Sequence, residues 1–315
     1  MSEYFKGKNI LITGGLGFIG LSLIDQLIPL KPKNLMIFDN DPIKIKNIND
    51  NLHKNVKIII GDISDIENIE IPKIDILFHF AAQTSVPFSV KNPEADFNTN
   101  VVGSFRILEY ARKNGIKELI FASSGGTVYG ETQTFPTPED QSLSPISNYG
   151  ASKAAIEMFM QSYSFLYNIK ITTLRLGNIF GPRSIHGVIF DFFIKLKNDN
   201  SQMEILGDGL QNKSYLYIDD CISAILTASS RDQIDYQAYN ISYPKQITVN
   251  QIAKIVCEEL GFSPKFHYTG GKRGWKGDVI KGSLDVSKIM SLGWEPKNNY
   301  QIGISKYINW LLMNF

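Results

Sequence analysis

Tyr149 and Lys153, in the stretch Tyr149-Gly-Ala-Ser-Lys153, are the residues whose spacing points most directly to chemistry. At i and i+4 they share one face of a helix, a turn apart. A free phenol, with a pKa of about 10, is a poor base at neutral pH. An ammonium one turn away favours the phenolate, and the pair then makes a usable general base. A second stretch, Phe121-Ala-Ser123-Ser124-Gly-Gly-Thr127-Val-Tyr129-Gly, ends an apolar run earlier in the chain. Ligands sit at such strand ends in a parallel sheet, and hydroxyls there could share a substrate proton with Tyr149.

These groups need a frame, and the first half of the chain supplies one by alternating strand and helix. Runs at 8–13, 34–38, 56–60, 74–80, 117–122 and 170–176 are nearly continuous Ile, Leu, Val and Phe, as in a parallel sheet covered on both faces. Helical patterns fall near 18–29, 92–114 and 149–168, with shorter pieces near 43–52 and 64–69. The class is α/β, a Rossmann-type doubly wound sheet. Between the first strand and helix stand Gly14, Gly17 and Gly20. They suit a tight turn, a close backbone approach to a pyrophosphate, and close helix packing. The helix that follows, opening on Phe18 and Ile19, offers free N–H groups and its positive dipole end to phosphates.

The second strand ends in Asp39, nineteen residues after Gly20, where an acid binds a ribose. Its carboxylate would repel a 2′-phosphate, and the next residues, Asn40-Asp41-Pro42, bring no Arg, so NAD is expected over NADP. Asp62 and Ile63 follow the third strand, where the carboxylate could accept from an adenine amino group or cap a helix. Phe80, Ala81 and Ala82 close the fourth strand with little bulk, which lets backbone approach the cofactor. Asn100 falls in an otherwise apolar helix and is expected to brace the sheet or Lys153 beside the cofactor.

Beyond residue 180 the pattern is mixed, with helices expected near 187–198, 219–229, 248–260, 285–291 and 301–313 and short strands near 203–206, 215–218 and 238–241. The division expected is 1–180 for the cofactor and 181–315 for a smaller substrate-binding region, some of it returning to the sheet. A formal net charge of +1 excludes a field that would draw nucleic acid or an anionic membrane. No apolar run reaches the roughly 18 residues of a membrane span. The first strand begins by residue 9, which argues against a signal peptide, and the two cysteines stand without metal-ligand neighbours. A cytoplasmic protein is expected. Four scattered histidines imply no metal, the glycine loop lacks a P-loop Lys-Ser/Thr, and no G-x-S-x-G is present.

Together these motifs resemble the extended short-chain dehydrogenase/reductases, specifically the NAD-dependent sugar-nucleotide epimerases and dehydratases, from the glycine turn to about residue 295. The resemblance implies that Tyr149 is the acid/base and that Lys153 orients the nicotinamide ribose and lowers the Tyr149 pKa. It also implies an assisting hydroxyl from Ser124, with Ser123 and Thr127 as alternatives because the stretch is one residue longer than the commonest form. For the substrate it implies diphosphate contacts from Asn178, from Lys213 (where Arg is usual) and from Arg273. A ribose contact falls on Asp278, a nucleobase pocket on 188–193 beginning at Val188, and a sugar contact on Gly282. The activity implied is a nucleotide-sugar 4-epimerase, UDP favoured, with a 4,6-dehydratase as the alternative. Gly125-Gly126 stands where dehydratases carry Asp-Glu, which favours the epimerase. A homodimer is implied through Phe97, Val101, Phe105, Met158, Phe159 and Phe165 on the two long helices.

Overall fold

Apolar runs covered on both faces assemble as the sequence requires in the computed structural model, which describes residues 2–41, 56–271, 279 and 281–315. The first six strands are β1 (Asn9–Thr13), β2 (Asn34–Asp39), β3 (Val56–Ile60), β4 (Ile76–His79), β5 (Glu118–Ser124) and β6 (Lys170–Leu176). Short pieces follow: β7 (Asn178–Phe180), β8 (Gln202–Ile205), β9 (Asn212–Lys213) and β10 (Tyr215–Tyr217). The last four are β11 (Tyr236–Ile241), β12 (Ile247–Thr248), β13 (Lys265–Tyr268) and β14 (Lys281–Gly282). Seven strands form one sheet in the order β11-β6-β5-β4-β1-β2-β3, every pair parallel. This is the doubly wound sheet expected from the sequence. Its edge strand, β11, returns from beyond residue 180.

Side chains alternate between the two faces along each strand. Leu11, Met36, Leu77, Leu119 and Phe121 pack on one face against Ile107 and Leu108 of helix Ser104–Lys113 and Ile156 and Met160 of helix Asn148–Tyr167. Ile10, Ile12, Ile37, Phe78 and Ile120 pack on the other. Their cover is Leu23 and Leu27 of helix Phe18–Leu27 and Ile222 and Ile225 of helix Ile218–Ser229. The remaining strands form three small sheets, β10-β7, β12-β9-β14 and β13-β8. Asp220 ties the C-terminal segment to the body: it accepts the N–H groups of Lys297 and Asn298, while its backbone carbonyl takes the buried Trp294 indole.

One expected helix changes in detail, one helix is added, and one lies beyond what is described. The helix near 92–114 is broken into Pro93–Phe97, a π-helical turn Asn98–Gly103, and Ser104–Lys113. The chain presses closely there, since a Cβ on Gly103 would come within 2.6 Å of the Ile63 side chain. Helix Val86–Lys91 was not legible, for it has Pro87 in its first turn and only one buried residue. The helix expected near 43–52 lies outside the described residues.

Candidate active site

Tyr149, Lys153, Ser124 and Asp39 gather at the carboxyl edge of the sheet. Gly14 turns the chain there with φ +67°, and a Cβ on it would lie 2.5 Å from the Ala81 backbone nitrogen, so the β1 and β4 ends meet with no room for a side chain. Gly20 packs against the turn itself, 2.6 Å from the Gly14 carbonyl by the same measure. No side chain caps helix Phe18–Leu27 at Gly17, which leaves its N–H groups for a ligand. Asp39 accepts the Leu16 N–H at 3.0 Å and so ties the β2 end to the turn. Asp62 caps the short helix Ile63–Asn68 and also takes the Asn40 amide. Burial pushes its carboxyl up, but the Ser64 and Asn40 donors outweigh that and hold it below the usual range.

One long groove joins these groups to the Tyr149 end. Its walls include Gly14, Gly17, Phe18, Ile19, Gly20, Asp39, Asn40, Asp62, Ile63, Phe80, Ala81, Ala82, Ser124, Tyr149 and Lys153. The sequence-predicted cofactor residues are therefore brought together with one exception. Asn100 is fully buried and does not line the groove; its amide bonds the Gln83 backbone and donates to Asp96 and to Ser152, beside Lys153. It braces the loop after β4 against the helix that carries Tyr149 and Lys153. Arg183, Ile185 and His186 line the same groove and carried no spacing signal in the sequence.

Ser147 caps helix Asn148–Tyr167 and places Tyr149 in its first turn, with Lys153 one turn on. Both are buried. Burial pushes the Tyr149 phenol up to about 12; the Ser124 hydroxyl beside it pulls the other way, and Asp96 adds to the rise. The Lys153 ammonium stands 5.9 Å from the Tyr149 ring centroid, donates to the Ala122 carbonyl at 3.0 Å and lies over the Phe121 ring. Burial lowers it to about 8 against the pull of Asp96 and Glu157. The Lys153 ammonium stands beside the Tyr149 ring and the Ser124 hydroxyl bonds the phenol; a cation and a donor at these places both favour phenolate. The alternatives to Ser124 are otherwise engaged. Ser123 donates to Glu157, and Thr127 donates to the Ser124 carbonyl at 3.4 Å.

A second cavity continues from the groove and shares Gly177 with it. Asn178, Lys213 and Gly282 line it, together with Gly125, Gly126, Thr132, Phe135 and Ser242. Gly282 pairs with Lys213 in the register of β14 on β9. Val188 is not part of either wall: it packs on the main core, in which Ile189, Phe192 and Phe193 are buried. Val188 and Phe190 are half-buried and Asp191 is exposed, and neither wall includes a residue of 188–193 among the described residues. Arg273 and Asp278 lie outside the described residues. No group of three or more His, Cys, Asp or Glu suited to a metal occurs among the described residues. No helix among them is long and apolar enough to cross a membrane.

Residues 10–242 match the model of the NAD dependent epimerase/dehydratase family. A Methanocaldococcus jannaschii protein with a provisional UDP-glucose 4-epimerase name is 36% identical over 97% of this chain and 99% of its own. The human dTDP-D-glucose 4,6-dehydratase is 32% identical over 98% and 91%. The crystal structure of Thermotoga maritima UDP-glucose 4-epimerase with UDP-glucose superposes with a TM-score of 0.89 at 35% identity, covering 97% of this chain and 99% of that one. The chain belongs to the NAD-dependent epimerase/dehydratase family. The groove fits a family member's dinucleotide. Its uncapped helix N-terminus and the side-chain-free approach at Gly14 suit a pyrophosphate, and its floor holds a carboxylate at the β2 end.

Burying Lys153 has a consequence for stability in this family member. Its native pKa of about 8 lies below the unfolded value of 10.5, so between these the unfolded chain holds the proton that the native chain has lost. Native stability from this residue is therefore poorest below pH 8 and improves as pH rises to 10.5. Tyr149, raised to about 12, acts above pH 10 and in the opposite sense. Urea unfolding of NAD-free protein should find Lys153→Met more stable than the parent at pH 7, with the difference shrinking through that window. A difference that stays constant would show that Lys153 does not titrate there.

Proposed function

We propose that the protein is an NAD-dependent nucleotide-sugar 4-epimerase acting on UDP-hexoses. The observation that carries this is the meeting of the Tyr149 and Ser124 hydroxyls in the wall of the groove, which shares Gly177 with the second cavity. Gly14, Gly17, Phe18, Ile19 and Gly20 would hold the NAD pyrophosphate, Asp39 a ribose and Asp62 the adenine end, with Lys153 at the other ribose. When bound, NAD supplies the acceptor and donor of the sugar C4 hydride. Tyr149 takes the proton of the 4-hydroxyl, through or beside Ser124, and later returns it. A keto sugar must then present its other face within the cavity. Gly126 and Gly282 suit that turn, since an added Cβ at either would meet nothing within 4 Å among the described residues. Asn178 and Lys213 flank the same space and suit the diphosphate.

The dehydratase alternative needs an acid and a base beside the sugar to eliminate water. Gly125 and Gly126 stand directly after Ser124, and no carboxylate lines the second cavity among the described residues, which supports epimerisation. Parent enzyme incubated with UDP-, GDP- and dTDP-sugars, with products resolved by NMR, tests the assignment; only a C4 inversion supports it. Tyr149→Phe should lose roughly 100- to 10,000-fold in turnover, because ring packing survives and the proton route does not. NAD retention, read by absorbance of the purified variant, should be unchanged. Near-parental turnover would remove Tyr149 from the mechanism.

The sugar specificity follows from Gly282. It carries no positive φ that would demand glycine, and a Cβ there would meet nothing within 4 Å among the described residues. Both features support the reading that glycine leaves volume for an acetamido group, so that UDP-GlcNAc and UDP-GalNAc are also interconverted. Gly282→Tyr should suppress acetamido turnover selectively while the plain hexoses still react. Equal loss on both classes would indicate backbone damage instead.

We infer a homodimer from helix Asn148–Tyr167 and the segment before it. Phe97, Met158, Phe159, Phe165 and Leu166 are all exposed, with Phe165 87% exposed, whereas Val101 is buried and Phe105 packs on Phe159 and Tyr163. Spacings of seven align Met158 with Phe165 and Phe159 with Leu166 on one stripe, an apolar patch of the kind covered by a partner. Light scattering at micromolar concentration should return twice the 35.4 kDa chain mass, and Phe165→Glu should return a monomer. A monomeric parent would overturn the dimer.

A further inference from the structure

Ser242 follows the last residue of β11 and lines the second cavity. It is 1% exposed, and its hydroxyl has no hydrogen-bond partner among the described residues. A buried hydroxyl left unpaired costs about 1–3 kcal/mol, so the position requires an explanation. Packing does not provide one, because alanine would fill the same space. The neighbouring strand makes room for the hydroxyl: a Cβ on Gly177 would come within 2.6 Å of Ser242 Oγ.

The register locates this hydroxyl relative to the chemistry. Ser124 on β5 pairs with Leu176 on β6, and Leu176 pairs with Ile241 on β11. Ser242 therefore stands one residue beyond the level of Ser124, two strands away. At about 4.8 Å per strand spacing the two hydroxyls are roughly 10 Å apart along the sheet edge. Between them lies Gly177, the residue common to groove and cavity, with no side chain to divide the space. A hexose with C4 at Ser124 and Tyr149 and its body in the cavity would span that interval. Ser214, the other buried unpaired hydroxyl of this wall, differs in having the Tyr300 phenol beside it.

We propose that Ser242 contacts the substrate's hexose, its buried hydroxyl exchanging a hydrogen bond with a sugar hydroxyl at the side of the ring away from the cofactor. This rests on the sugar-nucleotide reading above and assigns the sugar, as opposed to the diphosphate, to the β11 end of the cavity. The sequence held a faint signal, a serine closing the expected strand 238–241.

The test uses NAD-loaded protein and two probes, UDP and UDP-glucose, titrated by calorimetry into the parent, Ser242→Ala and Ser242→Cys. Cysteine keeps the volume but is only a weak donor, so it should behave as alanine does. Loss of one such hydrogen bond should weaken UDP-glucose about tenfold in both variants and leave UDP unchanged. The melting temperature without substrate should stay level or rise, because an unpaired buried hydroxyl has been removed. Unchanged affinity for UDP-glucose would overturn the proposal. So would equal weakening of UDP, which would move the contact to the diphosphate, or a lowered melting temperature, which would give the hydroxyl a structural partner. A parent that binds UDP-glucose without turnover counts against the epimerase reading alone, since the Ser242 contact is read from binding.

Discussion

One buried charge pair holds the catalytic edge in register. Glu157, fully excluded from solvent on helix Asn148–Tyr167, takes two hydrogen bonds from Arg175 on β6, at 2.8 and 3.0 Å, and one from Ser123 on β5. Arg175 also donates to the Tyr129 hydroxyl, which donates to Asn240 on β11. Asn240 in turn holds the carbonyls of Thr137 and Asp285. Helix, three strands and the strap over the second cavity are thus fixed to one another by a single polar chain. A break in it would leave a charge uncompensated inside the protein, at a cost of roughly 3–5 kcal/mol. Ser123 is consumed by this network, and that frees the next residue, Ser124, to face Tyr149.

The low dielectric that strengthens this pair also prepares the neighbouring groups. Tyr149 is held protonated and the Lys153 pKa is lowered to about 8, both chiefly by burial. His79 shows the same effect without a catalytic part. It lies between Thr13 and Ser104, is pushed down to about 3, and so stays neutral while joining β1 and β4 to helix Ser104–Lys113. Buried polarity is structural where all partners are protein groups and chemical where a partner is left for a ligand. The proposed roles of Ser242 and Tyr149 are of the second kind.

Small residues at the strand ends shape the site as much as the reactive ones do. Gly14 and Ala81 let β1 and β4 touch, and Gly177 keeps the groove continuous with the cavity. Gly126 and Gly282 leave open space in the walls that a proposed sugar must turn within. The seven-stranded frame fixes the strand ends from which these openings start, and β14 pairs with β9 beside the second cavity.

The sequence by itself determined the doubly wound sheet, the glycine turn, Asp39 and the Tyr149/Lys153 pair. Each of these is a local pattern: an apolar period, a glycine spacing, or two residues one helical turn apart. Helix–strand order and the carboxyl-edge rule then placed them together without any knowledge of packing. Tertiary structure decided what depends on contacts between distant segments. Asn100 faces Gln83 and Ser152 and not the cofactor groove, because the direction of a side chain on a helix is set by what the helix packs against. Ser124 is separated from Ser123 only by the alternation of β5 and by Glu157, 34 positions away. Ser242 is set beside Gly177 by the return of β11 to the sheet, a long-range pairing that no local pattern encodes.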